Sequence, residues 1–181
     1  MRYLVLALIT VVMLGAQGCA GFGKKNTTDR RTAGSQIEDT TIEKTAIERI
    51  KEKYKDSAQI TITSYSRAVL ITGDALSEDT KTEIERIVRT VPNVKKTVNE
   101  IAVGALSTTA ARRTDSTITS NVKSRFNKHK ALQGVTLQVT TAHGVVYLLG
   151  FATHAEGNVA AELASTTNDV QKVVKNFDYI D

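Results

Sequence analysis

Hydrophobic and polar positions along this chain follow one pattern that is written twice. Ile42, Ala46, Ile50 and Tyr54 fall at steps of four, which predicts a helix over residues 39–54, with N-cap candidates at residues 39–41. Residues 59–64 alternate, with Ile60 and Ile62 on one face and Thr61 and Thr63 on the other, the two-residue period of a strand. Residues 67–72 form a more continuous apolar run, a second strand close enough to the first to make a hairpin. Ser77-Glu78-Asp79 opens another helix with the stripe Ile84, Ile87, Val88 and Val91. Pro92 stops it, because proline clashes with the preceding turn and has no N–H to donate. Residues 94–103 read as a third strand.

Each of these elements returns 76 or 77 residues later, Ile42, Ala46 and Ile50 as Ile118, Val122 and Phe126, and Ile60 and Ile62 as Leu137 and Val139. Asp115 is the expected cap of the returning helix. Val135, Leu137 and Val139 alternate with Thr136, Gln138 and Thr140, and His143-Gly144 is a turn. Residues 145–150 are the central strand. Thr153 and Glu156 have the spacing of a capping box, in which hydroxyl and carboxylate each satisfy an orphan amide. Ala155, Val159 and Leu163 continue that helix, and residues 169–179 make the last strand. A unit this long, present twice, is a duplicated domain rather than a solenoid. The expected fold is α/β, an α+β sandwich of two tandem small domains. Each runs helix–strand–strand–helix–strand, a three-stranded mixed sheet backed by two helices. The expected units are 39–103 and 112–181, joined by a linker at 104–111.

The first residues do not join this pattern. Arg2 precedes an uncharged run over residues 3–14, then Gly15-Ala16-Gln17-Gly18 and Cys19, the only cysteine. The run is too short to span a bilayer core of roughly 30 Å as a mature helix and reads as a secretory signal at 1–18. Cys19 in that place resembles a lipobox cysteine. It would carry diacylglycerol and an N-acyl chain, with no other cofactor expected, and residues 19–38 would be a lipid-attached flexible tether. The alternative is a small-x-small cleavage site at Ala16-Gln17-Gly18, leaving a soluble secreted protein with a free thiol. Ala20 after the cysteine resembles outer-membrane sorting.

The two units match a known pattern. Gly144-Val145-Val146-Tyr147-Leu148-Leu149-Gly150 followed by Val170-Gln171-Lys172-Val173 resembles the core of the BON domain, a small bacterial envelope module. Arg67-Ala68-Val69-Leu70-Ile71-Thr72-Gly73 is the corresponding stretch of the first copy, without the leading glycine. The chain is similar to dual-BON outer-membrane lipoproteins. That resemblance implies a periplasm-facing, lipid-anchored protein of the outer membrane that supports envelope integrity, binds anionic phospholipid through its second domain and acts at division sites.

Charge then singles out one element. The net charge is +5 and the sequence pI about 9.3, yet export argues against nucleic acid as the partner. The helix opening the second copy holds Arg112, Arg113, Lys123, Arg125, Lys128 and Lys130 against one acid, Asp115. At 100° per residue, Lys123 and Lys130 fall on one shoulder of the Ile118–Val122–Phe126 stripe, and Arg125 and Lys128 on the other. These residues, with Phe126, are the candidate phospholipid-binding set, since cationic heads can meet phosphates while their stems lie on apolar surface. A solvated basic face over an ordinary core stripe remains the alternative. The matching helix of the first copy mixes Glu43, Glu48 and Glu52 among its bases. Phe151 reads equally as a loop aromatic or a core contact. His129, His143 and His154 fit no zinc spacing, and no nucleophile elbow, Walker loop or triad is recognisable, so a non-enzymatic role is expected. The competing role is a periplasmic adaptor or chaperone-like factor for proteins such as outer-membrane assembly-machinery components or amidase activators.

Overall fold

The computed structural model describes residues 29–181. The expected signal at 1–18, the expected lipobox cysteine Cys19 and the first part of the expected tether lie outside the described residues. The elements are α1 (Ala33–Tyr54), β1 (Ala58–Tyr65), β2 (Ala68–Ala75), α2 (Glu78–Arg89) and β3 (Lys96–Val103) in the first unit. The second has α3 (Thr109–Lys128), a 3-10 turn (Lys130–Leu132), β4 (Gln138–Ala142), β5 (Val145–Ala152), α4 (His154–Ser165) and β6 (Lys172–Tyr179). Each unit is a mixed sheet with its second strand central: β1 and β2 are antiparallel and β2 and β3 parallel, as are β4 with β5 and β5 with β6. The expected fold class holds in both copies.

Helix starts differ from expectation in both units, for the same reason. Asp39 and Asp115 do not cap helices. The caps are Thr32, whose hydroxyl accepts from the Ser35 amide, and Thr108, which accepts from Ala111. Each helix therefore begins earlier, α1 inside the expected tether and α3 inside the expected linker. Asp39 and Asp115 instead turn their carboxylates onto the hairpin of their own unit. Asp115 accepts from the amides of His143 and Gly144 at 2.9 Å each. Asp39 accepts from Ser66 and Arg67 at 2.8 Å each. The turn residues Ser66, Arg67, His143 and Gly144 have φ of 50°, 69°, 53° and 72°, the backbone of a two-residue hairpin loop that matches strand twist. A carboxylate beneath the loop satisfies amides that point away from the ladder.

Smaller differences follow from packing. Val135 and Leu137 precede β4 rather than belonging to it. On α4 the deepest positions are Gly157, Ala160 and Ala164, while Ala155 is exposed and Val159 and Leu163 are half-buried. Gly157 lets the helix lie on the sheet, for a Cβ there would stand 3.1 Å from the Phe177 ring. The capping box of Thr153 and Glu156 is present.

Each unit has its own core between sheet and helices. Ile42, Ala46, Ile50, Val69, Ile71, Ile84 and Val88 fill the first, and Ile118, Val122, Val146, Leu148, Ala160 and Ala164 the second. A third cluster joins the units: Tyr65, Leu70, Tyr147 and Leu149, flanked by Val98, Val174 and Phe151. The two sheets thus pack through the faces that carry no helices. Thr63, expected on the solvent side, is buried there, its hydroxyl 2.9 Å from that of its counterpart Thr140. Phe151 meets Tyr65 edge-on at 5.4 Å between ring centroids, so it is a contact between units.

Candidate functional site

The basic helix α3 buries Ile118, Val122 and Phe126 and turns the opposite side to solvent. Its one acid is Asp115, and that carboxylate is committed to the His143–Gly144 turn. It stands eight or more residues from Lys123 and Lys128, beyond the reach of a side chain along a helix, so these bases have no carboxylate of their own helix beside them. Lys123 and Lys128 are exposed, as is Lys130 beyond the helix end. Among the described residues none of the three, nor Arg113, makes an ion pair. Lys128 also sits where the helix dipole is negative, so its charge is compatible with the local backbone. On α1 the balance is reversed, with Glu38, Asp39, Glu43, Glu48 and Glu52 interleaved among four bases.

Other members of the expected set are placed differently. Phe126 is 7 % exposed and belongs to the core of the second unit, so its ring is not available at the surface. Arg125 is half-buried and donates to the Thr167 and Thr166 hydroxyls at 3.0 and 2.9 Å, tying α3 to the end of α4. Arg112 reaches back over the junction to the Gln59 side chain and the Ser107 carbonyl. Lys130 does not share a helical shoulder with Lys123, because the chain leaves the helix at His129, whose ψ is 125°. What remains accessible is Lys123, Lys128 and Lys130, with Lys123 and Lys128 about 140° apart around the helix and Lys130 beyond its end.

The ends of the seam carry a second constellation that the sequence pattern did not single out. At one end Arg30 donates to both carboxylate oxygens of Glu156 at 2.7 Å and to the Phe151 carbonyl at 3.0 Å. Arg31 stacks on the Tyr65 ring at 4.2 Å and pairs with Asp29 and Asp39. The segment entering α1 is therefore clasped to the second unit. At the other end His143 Nε2 lies 2.7 Å from the buried Asp74 carboxylate. Asp29, Arg30 and Arg31 gave no signal because they sit in an aperiodic polar stretch. The repeated aspartates ahead of each hairpin were a signal, and it pointed to the wrong role.

The clasp has a pH signature. The Arg30 guanidinium and the Thr153 amide hold the Glu156 carboxyl down at about 2, well below its ordinary 4.5. A carboxylate depressed by folding stabilises fully above its unfolded value and loses that contribution as pH falls toward the folded one. Wild type should thus lose on the order of 2–3 kcal/mol between pH 4.5 and 2 that Glu156→Gln never had. In thermal melts the gap between the two proteins should close across that window. A gap independent of pH would contradict it.

Among the described residues no helix is long and apolar enough to cross a membrane. The family model for the BON domain matches residues 38–105 and again 114–181. The outer membrane lipoprotein DolP of Haemophilus influenzae is 31% identical over 97% of this chain and 96% of its own length. A 21 kDa hemolysin of Actinobacillus pleuropneumoniae is 27% identical over 84% of this chain and 79% of its own. With two matched modules and near full-length similarity, the chain belongs to the BON-domain family, as a dual-BON outer-membrane lipoprotein of the DolP type.

Proposed function

We propose that this lipoprotein is non-enzymatic, is held by acyl chains on Cys19 at the periplasmic face of the outer membrane, and supports the envelope by docking its second BON domain on anionic phospholipid. The observation that carries the reading is that Lys123, Lys128 and Lys130, on and just beyond a helix with a single acid, are exposed and make no ion pair among the described residues. Distance is compatible with it. Asp29 follows Cys19 by ten residues, and ten residues span at most roughly 35 Å. A domain tied so close to a bilayer meets lipid headgroups at high effective concentration.

Each Lys near an anionic surface contributes about 1 kcal/mol. Replacing Lys123, Lys128 and Lys130 by Gln should therefore weaken binding by about 3 kcal/mol, on the order of a hundredfold. Arg125 stays in place because it braces α4. The measurement is co-sedimentation of the unacylated mature chain, carrying Cys19→Ser, with phosphatidylglycerol vesicles. Binding of the parent protein should also fall as salt rises, since the three ammonium groups are exposed. Neutralising Lys44, Lys51 and Lys55, equally exposed in the first unit, should change binding much less. If the second-unit variant folds and binds like its parent, the lipid reading fails, and docking on a protein of the assembly machinery or on an amidase activator takes its place.

A further inference from the structure

One edge of the first sheet lies open beside an apolar groove. β1 pairs with β2 alone, so its far side carries no partner strand. Backbone groups along a strand point alternately to the two sides, and two bonds fix the phase here. The Ser57 carbonyl turns inward to the Leu76 amide at 3.0 Å, and the Ser64 amide turns outward to the Glu43 carboxylate at 2.7 Å. The register with β2 is one-to-one along the whole strand, without a bulge. Ala58 and Ile60 therefore point their N–H and C=O groups to the open side, as Ser64 does. Both residues line the groove, and neither amide makes a bond outside the ladder among the described residues. No proline or charged residue on β1 blunts this edge, the common defence against strand addition.

The second unit answers the same position internally. Val135 is the counterpart of Ala58, 77 residues on, and its amide donates to the Leu132 carbonyl at 3.1 Å. β4 begins only at Gln138, after the counterpart of Ile60. In the first unit the half-buried side chains of Ile47 and Tyr54 on α1 and Ile60 on β1 wall a space of about 720 Å³. Three cations stand around it: Lys51 and Lys55 at the end of α1, and Arg112 from α3. None of the three makes an ion pair among the described residues, and no carboxylate lines the groove. The bonds of Arg112 go to uncharged groups, the Gln59 side chain and the Ser107 carbonyl among them.

We propose that this groove takes up an extended acidic segment of a partner protein, which adds to the first sheet as a strand beside β1. Main-chain bonds to Ala58 and Ile60 give the affinity, and the side chains around them give the selectivity. An added strand turns alternate side chains to opposite faces. One set meets Ile47 and Tyr54, and the other passes Gln59, Thr61 and Arg112. The segment that fits therefore alternates apolar and acidic residues. Charge excludes two nearer occupants. Residues 20–28 of this chain carry Lys24 and Lys25 and no acid, and a second copy docked edge to edge would bring the same cations together. An acyl chain would cover the apolar walls but leave the edge amides without acceptors. The groove is separate from the lysines of α3, and neither proposal depends on the other.

The test is a nitrogen-15 NMR titration of the mature chain carrying Cys19→Ser, at constant ionic strength. The probe is a short end-capped peptide of alternating aspartate and valine. The Ala58 and Ile60 amide signals should move and saturate, and both amides should exchange with solvent more slowly once the peptide is bound. Methylating every backbone nitrogen of the peptide keeps its charges and removes its donors, and should abolish the shifts. A peptide with lysine in place of aspartate should not bind. Lys51→Gln combined with Lys55→Gln, both changes at exposed side chains, should raise the midpoint at least fivefold. Ala58 and Ile60 signals that stay still, or that respond equally to the methylated peptide, would overturn strand addition. A midpoint unchanged in the lysine variant would overturn the acidic partner. A response to sodium laurate but not to the peptide would make the groove an acyl-chain site and overturn the proposal as a whole.

Discussion

Gly73→Ala should unfold the first unit or come close to it. Gly73 sits in the middle strand of the first sheet, paired with Ile60 on one side and Ile101 on the other, at φ +120°. That backbone conformation is costly for any residue with a Cβ. Space makes it worse: the Cβ of an alanine would stand 1.9 Å from the Gln59 carbonyl oxygen and 3.0 Å from the carbon. The obstacle is backbone in the neighbouring strand, so it can move only if the ladder opens. A loss of about 4 kcal/mol or more is expected, a large share of the stability of a small domain. The equivalent Gly150→Ala is the control. Its φ is +153°, and the nearest atom is the end of the Leu137 side chain at 2.7 Å, with backbone no closer than 3.4 Å. A leucine tip can rotate away, so about 1–3 kcal/mol is expected. Urea titrations of both variants followed by circular dichroism decide the matter. Equal midpoints, or a Gly73→Ala protein as stable as wild type, would contradict the geometry.

Asp39→Ala is expected to be nearly as damaging, and much worse than Asp115→Ala. The Asp39 carboxylate is 2 % exposed and accepts four hydrogen bonds, from the Ser64 hydroxyl, the Ser66 and Arg67 amides and Arg31. Truncation strands those donors and leaves Arg31, itself 8 % exposed at its side chain, with only Asp29 as counter-charge. Removing one partner of such a buried pair costs about 3–5 kcal/mol. Asp115 makes only the two turn bonds from a half-buried position. Its turn also contains Gly144, which adopts φ 72° without the steric penalty that Arg67 bears at 69°. About 1–2 kcal/mol is expected there. Two unfolding steps, with only the first shifted by Asp39→Ala, would locate the loss in the first unit. The reverse ranking of the two aspartates would refute the clamp.

What the sequence determined by itself was everything that depends on local periodicity. A stripe at i, i+4 has only one helical solution and an alternating run only one pleated one. Residues 42–54 and 60–72, and their counterparts after residue 118, therefore declared their elements and their own cores. The repeat carried the family, and Cys19 directly after the uncharged run carried the lipoprotein reading. Helix starts were misjudged because Asp39 and Asp115 are plausible caps by residue type. Whether an aspartate caps its own helix or a hairpin depends on where that hairpin lies, and a linear pattern does not contain this.

Only the tertiary structure decided the seam. Thr63, Tyr65, Leu70 and Tyr147 occupy faces that periodicity leaves unassigned, since a sheet face without helices can meet either water or another sheet. Once the sheets met, Phe151 became a contact and Arg30 found Glu156. The candidate lipid site divided in the same way. Its basic composition was legible in the chain, but Phe126 and Arg125 were claimed by packing, because a side chain on a core stripe or within reach of a neighbouring helix end gains more by burial or bonding there than at the surface. Lys123, Lys128 and Lys130 stayed free because no acid lies within four residues of any of them, Asp115 being eight or more positions away.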